Sequence, residues 1–522
     1  MTEIAKWNVF EMAYESTREW DDPFWDVSMR VQFTAPSGRE HVVDAFWDSG
    51  STWRVRFCPD EVGTWRWATA SSDPGDEGLH AREGTFKCVP YLGQNRLYRH
   101  GPLRVSDSRR HLTYSDGERF FWLGDTAWNG VIRAREEDWQ TYLETRRKQT
   151  FNVIQFVSTQ WRGWQPPSEG EGAFVGTDHI QVNADFFRRL DPKVAAINEN
   201  GLVAAPVILW TLTEDDPGQT LSEESAIRLA KYIVARWNAY HVVWFLGGDG
   251  VYPKERVDRW RRIGRSVFGE DHDRLVTMHP CGTSWVRDEF GGEPWFDFIG
   301  YQSGHNASEK ALRWHTVGPP ADDWLEEPAY PIINLEPNYE AHPAAQGGDI
   351  VYTAYEVRRA SYWSLLVSPP AGVTFGHNSI WVWPDEEEVP EGHERIGPVG
   401  PWENGLDTPG IRSLVILKKF FRSLPWWRLR PAKGLIVSPP GVRDPHSFVA
   451  AASTEDGTLA VVYMPLGGEI EVNTTMLKRD VAASWFNPRT GHRKRLGRRP
   501  HGVHKFEAPS DEDWVLVIKS ES

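Results

Sequence analysis

The sequence predicts a (β/α)8 barrel that is flanked by an N-terminal and a C-terminal β-sandwich domain. Short apolar runs alternate with helical patterns through the middle of the chain, whereas both ends show period-two alternation and frequent turn signals. A chain of 522 residues is longer than the ~250–300 residues at which a single core stops growing. We therefore expect three domains, at residues 1–90, 91–430 and 431–522.

The two ends of the chain have the pattern of half-buried strands. Near the N-terminus, polar residues alternate with apolar ones, namely Trp25, Val27, Met29, Val31 and Phe33, and later Trp53, Val55 and Phe57. After Pro431, further strands are predicted at 458–465, 469–475, 481–488 and 514–520. Short strands that are separated by turn residues favour a sandwich at each end.

The central region contains eight apolar runs without alternation, as expected for strands that are buried on both faces. They lie at 120–128, 151–157, 201–210, 242–250, 274–282, 296–305, 330–340 and 372–381. Helical patterns fall at 136–148, 185–200, 222–238, around Val257 to Val267, 349–366 and 409–422. The links after the fifth and sixth runs show no clear helix. A doubly wound open sheet is the alternative, but it calls for a phosphate-binding glycine loop, and neither GxGxxG nor GxxxxGK[ST] occurs.

Charge and composition limit the partners and the compartment. Lysine and arginine number 58 and acidic residues 73, which gives a net charge of −15 and disfavours nucleic acid and anionic membranes as partners. No apolar run approaches the ~18 residues of a membrane span, and the acidic N-terminus is unlike a signal peptide. The three cysteines form no CxxC pair. We therefore expect a cytoplasmic protein in a reducing compartment. The sequence is compatible with a homo-oligomer.

Tryptophan is unusually abundant, with 28 residues, and aromatic residues reach 13%. An indole offers a flat apolar face and one N–H donor, which suit the C–H faces and hydroxyls of sugars. This abundance favours a carbohydrate ligand, although β-rich cores also use tryptophan.

Two carboxylates stand where barrel strands end. Asp249 closes the fourth run in LGGDG, and Glu336 closes the seventh in INLEPNYE. Active sites of these barrels lie at the carboxyl ends of the strands, and two carboxylates across the mouth can hydrolyse a glycosidic bond as acid and as nucleophile or base. The alternatives are a helix cap for Asp249 and an ion pair with arginine for Glu336.

Other polar and aromatic residues at the strand ends are predicted to hold the substrate. They are Asp125, Trp128, Gln155, Trp161, Trp210, His279, Gln302, His305, Tyr339, His377 and Trp381. No cofactor and no metal is expected, because the chain lacks HxH, HExxH and a cysteine cluster. A serine hydrolase is disfavoured because no GxSxG occurs.

At these residues the chain resembles the apiosidase-like glycoside hydrolases over about 91–430. The resemblance rests on FFWLGDTAW, FNVIQF, the GGD turn, DFIGYQSGH, NLEPNYE and GHNSIWVW. PDEVGTWRW and WFNPRTG are similar to the sandwiches that often precede and follow such barrels. The resemblance implies a retaining mechanism with Asp249 as acid/base and Glu336 as nucleophile. It also implies a terminal furanose such as apiose or arabinofuranose, taken from oligosaccharides or plant-derived glycosides.

Three functions are compatible with the sequence. The first is the retaining, exo-acting glycosidase. The second is an inactive barrel that serves as a carbohydrate-binding or scaffold protein, and it is disfavoured because both carboxylates are present. The third is a metal-dependent hydrolase on the same barrel, which the missing ligand spacings disfavour.

Overall fold

The computed structural model describes residues 2–164, 171–252, 254–369, 371–437, 441 and 444–520. A (β/α)8 barrel lies between two β-sandwich domains, as predicted. The barrel strands are β1 (Trp122–Thr126), β2 (Val153–Val157), β3 (Val203–Trp210), β4 (Trp244–Gly250), β5 (Val276–Pro280), β6 (Ile299–Tyr301), β7 (Ile332–Asn334) and β8 (Gly372–Gly376). Each lies within one of the eight predicted runs.

The strands pair in parallel in the order β5-β4-β3-β2-β1-β8-β7-β6. The edges of this sheet, β5 and β6, are joined chiefly through one side chain. The Thr277 hydroxyl donates to the Phe298 carbonyl at 2.6 Å and accepts from the Gly300 N–H at 3.1 Å. The Asp297 N–H also donates to the Val276 carbonyl at 3.0 Å. These contacts close the barrel, so all eight carboxyl ends surround one mouth.

A helix follows each strand: α1 (Glu136–Lys148), α2 (Ala184–Glu199), α3 (Glu223–Trp237), α4 (Lys254–Phe268), α5 (Arg287–Phe290), α6 (Glu309–Val317), α7 (Ala354–Val367) and α8 (Pro409–Arg422). The two that the sequence left unresolved are α5, a single turn, and α6, nine residues long. Polar N-caps start several of them. The Ser222 side chain accepts from Ser225 N–H, and Thr353 forms a capping box with Glu356.

The N-terminal domain is a sandwich of a five-stranded and a three-stranded sheet. The strands of the larger sheet are Glu3–Ala5, Glu83–Val89, Gly63–Ser71, Met29–Thr34 and Glu40–Asp44. Those of the smaller sheet are Phe10–Glu15, Thr52–Phe57 and Phe46–Ser49. The predicted strand from Trp25 to Phe33 is wrong at its start. Trp25 lies in a short helix, Pro23–Asp26, because Pro23 favours the first turn of a helix and Phe24 packs into the core.

The C-terminal domain packs a six-stranded sheet against a two-stranded one. The strands are Leu429–Pro431, Ala450–Thr454, Leu459–Met464, Trp514–Ser520, Val481–Phe486 and Arg493–Arg499, with Glu469–Asn473 and Val503–Glu507 in the smaller sheet. Apolar residues of this domain join α7 and α8 in one cluster with β1 and β8, so the domain is braced against the barrel. No helix in the described ranges combines the length and the apolar character that crossing a membrane requires.

Candidate active site

The carboxyl ends of the barrel strands surround a cavity of about 450 Å³. Nine of the residues that the sequence singled out line it: Trp128, Trp161, Trp210, Asp249, Gln302, His305, Glu336, Tyr339 and Trp381. They come from the ends of β1, β2, β3, β4, β6, β7 and β8 or from the loops that follow. Barrel closure therefore brings together residues that are up to 253 positions apart.

Asp249 occupies a backbone conformation that is rare for a residue with a side chain. Its φ is 52°, in the left-handed region, which costs on the order of 1–3 kcal/mol and occurs most often at functional sites. The pairing of β4 with β5 shifts register around Gly248 and Gly250, and such a bulge re-aims a side chain. A Cβ at Gly248 would overlap Val207 and Trp210, so the glycine lets the indole close against the strand.

Two donors hold the Asp249 carboxylate. Gln302 Nε2 donates to Oδ1 at 2.8 Å, and Arg162 Nη2 donates to Oδ2 at 3.2 Å. Arg162 also reaches His393 Nε2 at 3.1 Å, so one guanidinium links the loop after β2, the carboxylate at the end of β4 and the loop after β8. Each oxygen of the Asp249 carboxylate thus accepts one hydrogen bond, and the residue lines the cavity.

Glu336 lies deeper and is 8% exposed. His305 Nε2 lies 2.9 Å from Oε1, and the Tyr339 N–H lies 3.5 Å from His305 Nδ1. Burial lowers the pKa of His305 to about 3, so the ring is neutral and its Nε2–H donates to the carboxylate. His279 Nε2 lies 3.6 Å from Oε2, and burial also lowers the pKa of this histidine.

Burial, together with the negative charge of Asp249, raises the pKa of Glu336 to about 7. The nearby His279, the Tyr339 hydroxyl and Arg162 act in the opposite direction. A carboxyl group that titrates near neutral pH inside a cavity is typical of a catalytic acid, base or nucleophile. Two carboxylates in different environments are also what acid-and-nucleophile chemistry needs.

Aromatic side chains form one wall of the cavity. Trp161 and Trp210 have ring centroids 4.6 Å apart, and Trp128 meets Trp210 edge-on at 5.3 Å. The Trp161 and Trp381 N–H groups donate to Asn129 at 2.9 Å and to Asn378 at 3.0 Å, so these two rings are held in place. Flat, rigid rings beside polar groups suit the faces and hydroxyls of a sugar.

Asp125, predicted as a substrate contact, does not face the cavity. Its carboxylate is fully buried, forms an ion pair with Arg146 and accepts from the Tyr142 hydroxyl at 2.7 Å, both on α1. Arg146 also donates to the Gly405 carbonyl at 2.8 Å. Asp125 points outward from β1 because successive strand side chains face opposite sides, and its partners give it a structural role.

Three more predicted contacts lie outside the cavity. Gln155 is enclosed within the barrel, where Nε2 donates to the Leu335 carbonyl at 3.1 Å and Oε1 accepts from Thr374 at 3.1 Å. His377 caps the helix Asn378–Val382 through Nδ1. His279 is fully buried beside Glu336, with Nε2 3.6 Å from Oε2, and meets the Trp128 ring edge-on, so it lies behind the carboxylate and outside the cavity lining.

Several cavity residues were not predicted: Arg162, Leu212, His342, His393 and Arg395. Arg162 directly follows Trp161 after the second apolar run. Its position near the end of a strand is the signal that could have identified it as a site residue. His393 and Arg395 lie in a polar loop far beyond β8, and no sequence signal marked them as site residues. Within the described ranges, no set of three or more His, Cys, Asp or Glu side chains is placed to hold a metal ion.

Comparison with known proteins agrees with this architecture. The model of the family described as "Apiosidase-like, catalytic domain" matches residues 106–428. Residues 3–72 match a domain of unknown function, DUF5060, and residues 431–519 match a model described as "Putative collagen-binding domain of a collagenase". No curated protein sequence matches the chain significantly.

Solved structures share the fold at low sequence identity. A glycoside hydrolase with a TM-score of 0.71 is 24% identical, and the match covers 81% of this chain and 98% of the other. A glycoside hydrolase family 5 protein from Bacteroides vulgatus ATCC 8482 has a TM-score of 0.70 and 21% identity, over 81% and 94% of the two chains. The family model covers more than half of the sequence and includes both cavity carboxylates. The chain therefore belongs to the apiosidase-like family and is a glycoside hydrolase.

Proposed function

We propose that the protein is a retaining, exo-acting glycosidase that removes a terminal furanose sugar, apiose-like or arabinofuranose-like, from oligosaccharides or plant-derived glycosides. One observation carries the proposal: Asp249 and Glu336 open into the same aromatic-walled cavity, each with its own set of hydrogen-bond donors. The furanose preference follows the family resemblance.

In the proposed first step, Glu336 attacks the anomeric carbon and forms a glycosyl ester while Asp249 passes its proton to the leaving oxygen. In the second step, Asp249 takes a proton from water, whose oxygen attacks the anomeric carbon and releases Glu336. His305 supports this role because its Nε2–H, 2.9 Å from Oε1, fixes the carboxylate orientation. Exo action is supported by the loop that bears His393 and Arg395, since this loop contributes to the wall of the cavity.

A second assignment of roles is favoured by one observation. The pKa of Glu336 is raised to about 7, whereas Asp249 accepts a hydrogen bond from a guanidinium. A raised pKa suits the acid, and a cationic partner suits the ionised nucleophile. Under this assignment the two carboxylates exchange roles within the same reaction.

A substrate panel tests the proposal. Aryl furanosides and pyranosides would be assayed with the wild type, Glu336→Gln and Asp249→Asn. Glu224→Gln and Asp271→Asn, at exposed positions, are matched controls. We expect the wild type and the controls to cleave a furanoside whose leaving group needs a proton, and we expect both cavity variants to lose this cleavage. Equal activity in all five proteins would refute the site.

Leaving-group dependence separates the roles. If Glu336 is the nucleophile, Asp249→Asn should keep cleaving an aryl glycoside with a very acidic phenol, because that leaving group needs no proton. Added azide should then give a glycosyl azide. If Glu336→Gln shows this behaviour instead, the exchanged assignment holds. NMR of the first product anomer tests retention, and an inverted product would refute double displacement. Saccharide binding without cleavage of any substrate would favour the binding or scaffold function.

A further inference from the structure

A second and larger cavity, of about 650 Å³, lies at the end of the barrel away from the catalytic mouth. Its walls come from segments at the amino ends of the barrel strands and from the C-terminal domain. These are the hairpin before β1, the segment before β7, the chain after α8 and the turn at Glu455 and Asp456. Ligand sites commonly have this size and lie where domains meet. We call it the basal cavity.

Four arginines line the basal cavity, and they differ in how their charge is balanced. Arg428 Nη2 lies 2.6 Å from Asp456, and Arg430 Nη2 lies 2.8 Å from Glu455. Arg110 has no comparable partner. The carboxylate paired with it belongs to Glu327, which lies 3.6 Å away and is 77% exposed.

The Arg110 side chain is 16% exposed, and the hydrogen-bonding capacity of its guanidinium is only partly used. Its Nη1 is buried without a hydrogen-bond partner among the described residues. Burial lowers its pKa, because water is excluded from the cation without full compensation. The guanidinium stacks on Trp324 at 4.2 Å, which orients its N–H groups. A cation in this state is stabilised by an anion that enters the cavity.

A second guanidinium is oriented in the same way. Arg119 stacks on Trp427 with 3.9 Å between its Cζ and the ring centroid. Stacked, planar guanidinium groups present fixed pairs of N–H donors that match the oxygens of a carboxylate or phosphate. Arg110 lies in the turn before the strand Leu112–Tyr114, and Arg119 lies on the neighbouring strand Arg119–Phe120, so both guanidinium groups line the same cavity.

Neutral hydrogen-bonding groups form another part of the wall, next to the exposed carboxylate of Asp107. The Ser106 hydroxyl lies 3.2 Å from both Ser108 Oγ and His111 Nδ1. Burial lowers the pKa of His111 to about 4, so its ring is neutral at pH 7. Hydroxyl and neutral imidazole groups both donate and accept, which suits the hydroxyls of a sugar.

We propose that the basal cavity binds a saccharide that bears a carboxylate or phosphate monoester. The anion pairs with Arg110 and Arg119, and the sugar hydroxyls contact the serine and histidine cluster. This site is separate from the catalytic cavity, and its test does not depend on hydrolysis.

The test is isothermal titration calorimetry of the full chain with four probes: D-glucuronate, glucose 6-phosphate, glucose and inorganic phosphate. The proteins are the wild type, Arg110→Gln, Arg119→Gln and Glu336→Gln. Arg412→Gln is the matched control, since this exposed arginine lies on α8 and pairs with Asp407. Thermal melting of each variant verifies folding. Removing one charge-assisted contact is expected to weaken binding about ten-fold or more.

We expect one or both acidic sugars to bind the wild type, Arg412→Gln and Glu336→Gln equally, with affinity reduced in each basal variant. Glucuronate and glucose 6-phosphate distinguish the carboxylate from the phosphate source. Binding of glucose as tight as that of both acidic sugars would overturn the anion requirement. If inorganic phosphate binds as tightly as glucose 6-phosphate, the requirement for a saccharide would be overturned. Unchanged affinity in folded Arg110→Gln and Arg119→Gln, or absence of binding to the wild type, would overturn the site.

Discussion

Replacing Glu336 by glutamine should change how the stability of the protein depends on pH. The carboxyl group is 8% exposed, and burial raises its pKa from 4.5 to about 7 in the folded chain. The folded state therefore binds the proton more tightly than the unfolded state. Stability from this group is fully present below pH 4.5 and is lost as the pH rises through about 7. Glutamine has a similar shape but no proton to lose.

The expected magnitude follows from the two pKa values. A rise in the pKa from 4.5 to about 7 corresponds to about 3 kcal/mol in the free energy of unfolding, since a shift of one pKa unit corresponds to about 1.4 kcal/mol. Between pH 4 and pH 8, the stability of Glu336→Gln relative to the wild type should therefore increase by about 3 kcal/mol. For a barrel of this size we expect a relative rise in Tm of about 5 °C.

Differential scanning calorimetry at a series of pH values measures this difference. Glu224→Gln, at an exposed position on α3, is the matched control and should follow the wild type at each pH. Because the domains of one chain need not unfold together, the comparison uses the calorimetric transition of the barrel, followed in each protein in the same buffer. A gap in Tm between Glu336→Gln and the wild type that stays constant from pH 4 to pH 8 would refute the reasoning.

Three further predictions concern the barrel and its mouth. Asp125→Asn should lower the free energy of unfolding by about 3–5 kcal/mol in denaturant titrations, because it leaves the buried guanidinium of Arg146 without its anionic partner. A loss below about 1 kcal/mol would contradict this. Gly248→Ala should reduce kcat/KM about ten-fold or more by displacing the aromatic wall, whereas Gly282→Ala, whose Cβ would meet nothing within 3.6 Å, should not. Asp249→Asn should lower the pKa of Glu336 by removing a negative neighbour; carboxyl NMR would show an unchanged midpoint if the two groups do not interact.

The barrel was predictable because its signals are local and repeated. Eight apolar runs of strand length, separated by helical patterns, correspond to eight strands and their helices. The two helices that the sequence left unresolved, α5 and α6, are among the shorter ones after the strands, and a short helix carries few turns of periodicity. Trp25 was misread because one residue of alternation is not enough to distinguish a strand from a helical turn at its edge.

The sequence by itself determined that carboxylates, aromatic rings and neutral polar groups stand at the carboxyl ends of parallel strands, and these ends meet at one mouth. It did not determine which face of a fully buried strand each side chain takes. Asp125 and Thr126 are neighbours on β1, yet Asp125 faces α1 while Thr126 contacts Gln155 inside the barrel. Without alternation, the pattern carries no information about this choice.

Tertiary structure alone decided the electrostatics of the site and the residues that loops bring to it. Arg162 reaches Asp249 and His393 only after the loops following β2 and β8 meet above the barrel. The raised pKa of Glu336 likewise depends on burial and on neighbours from other strands. Desolvation and charge interactions act through space at a few ångströms, whereas sequence records only order along the chain.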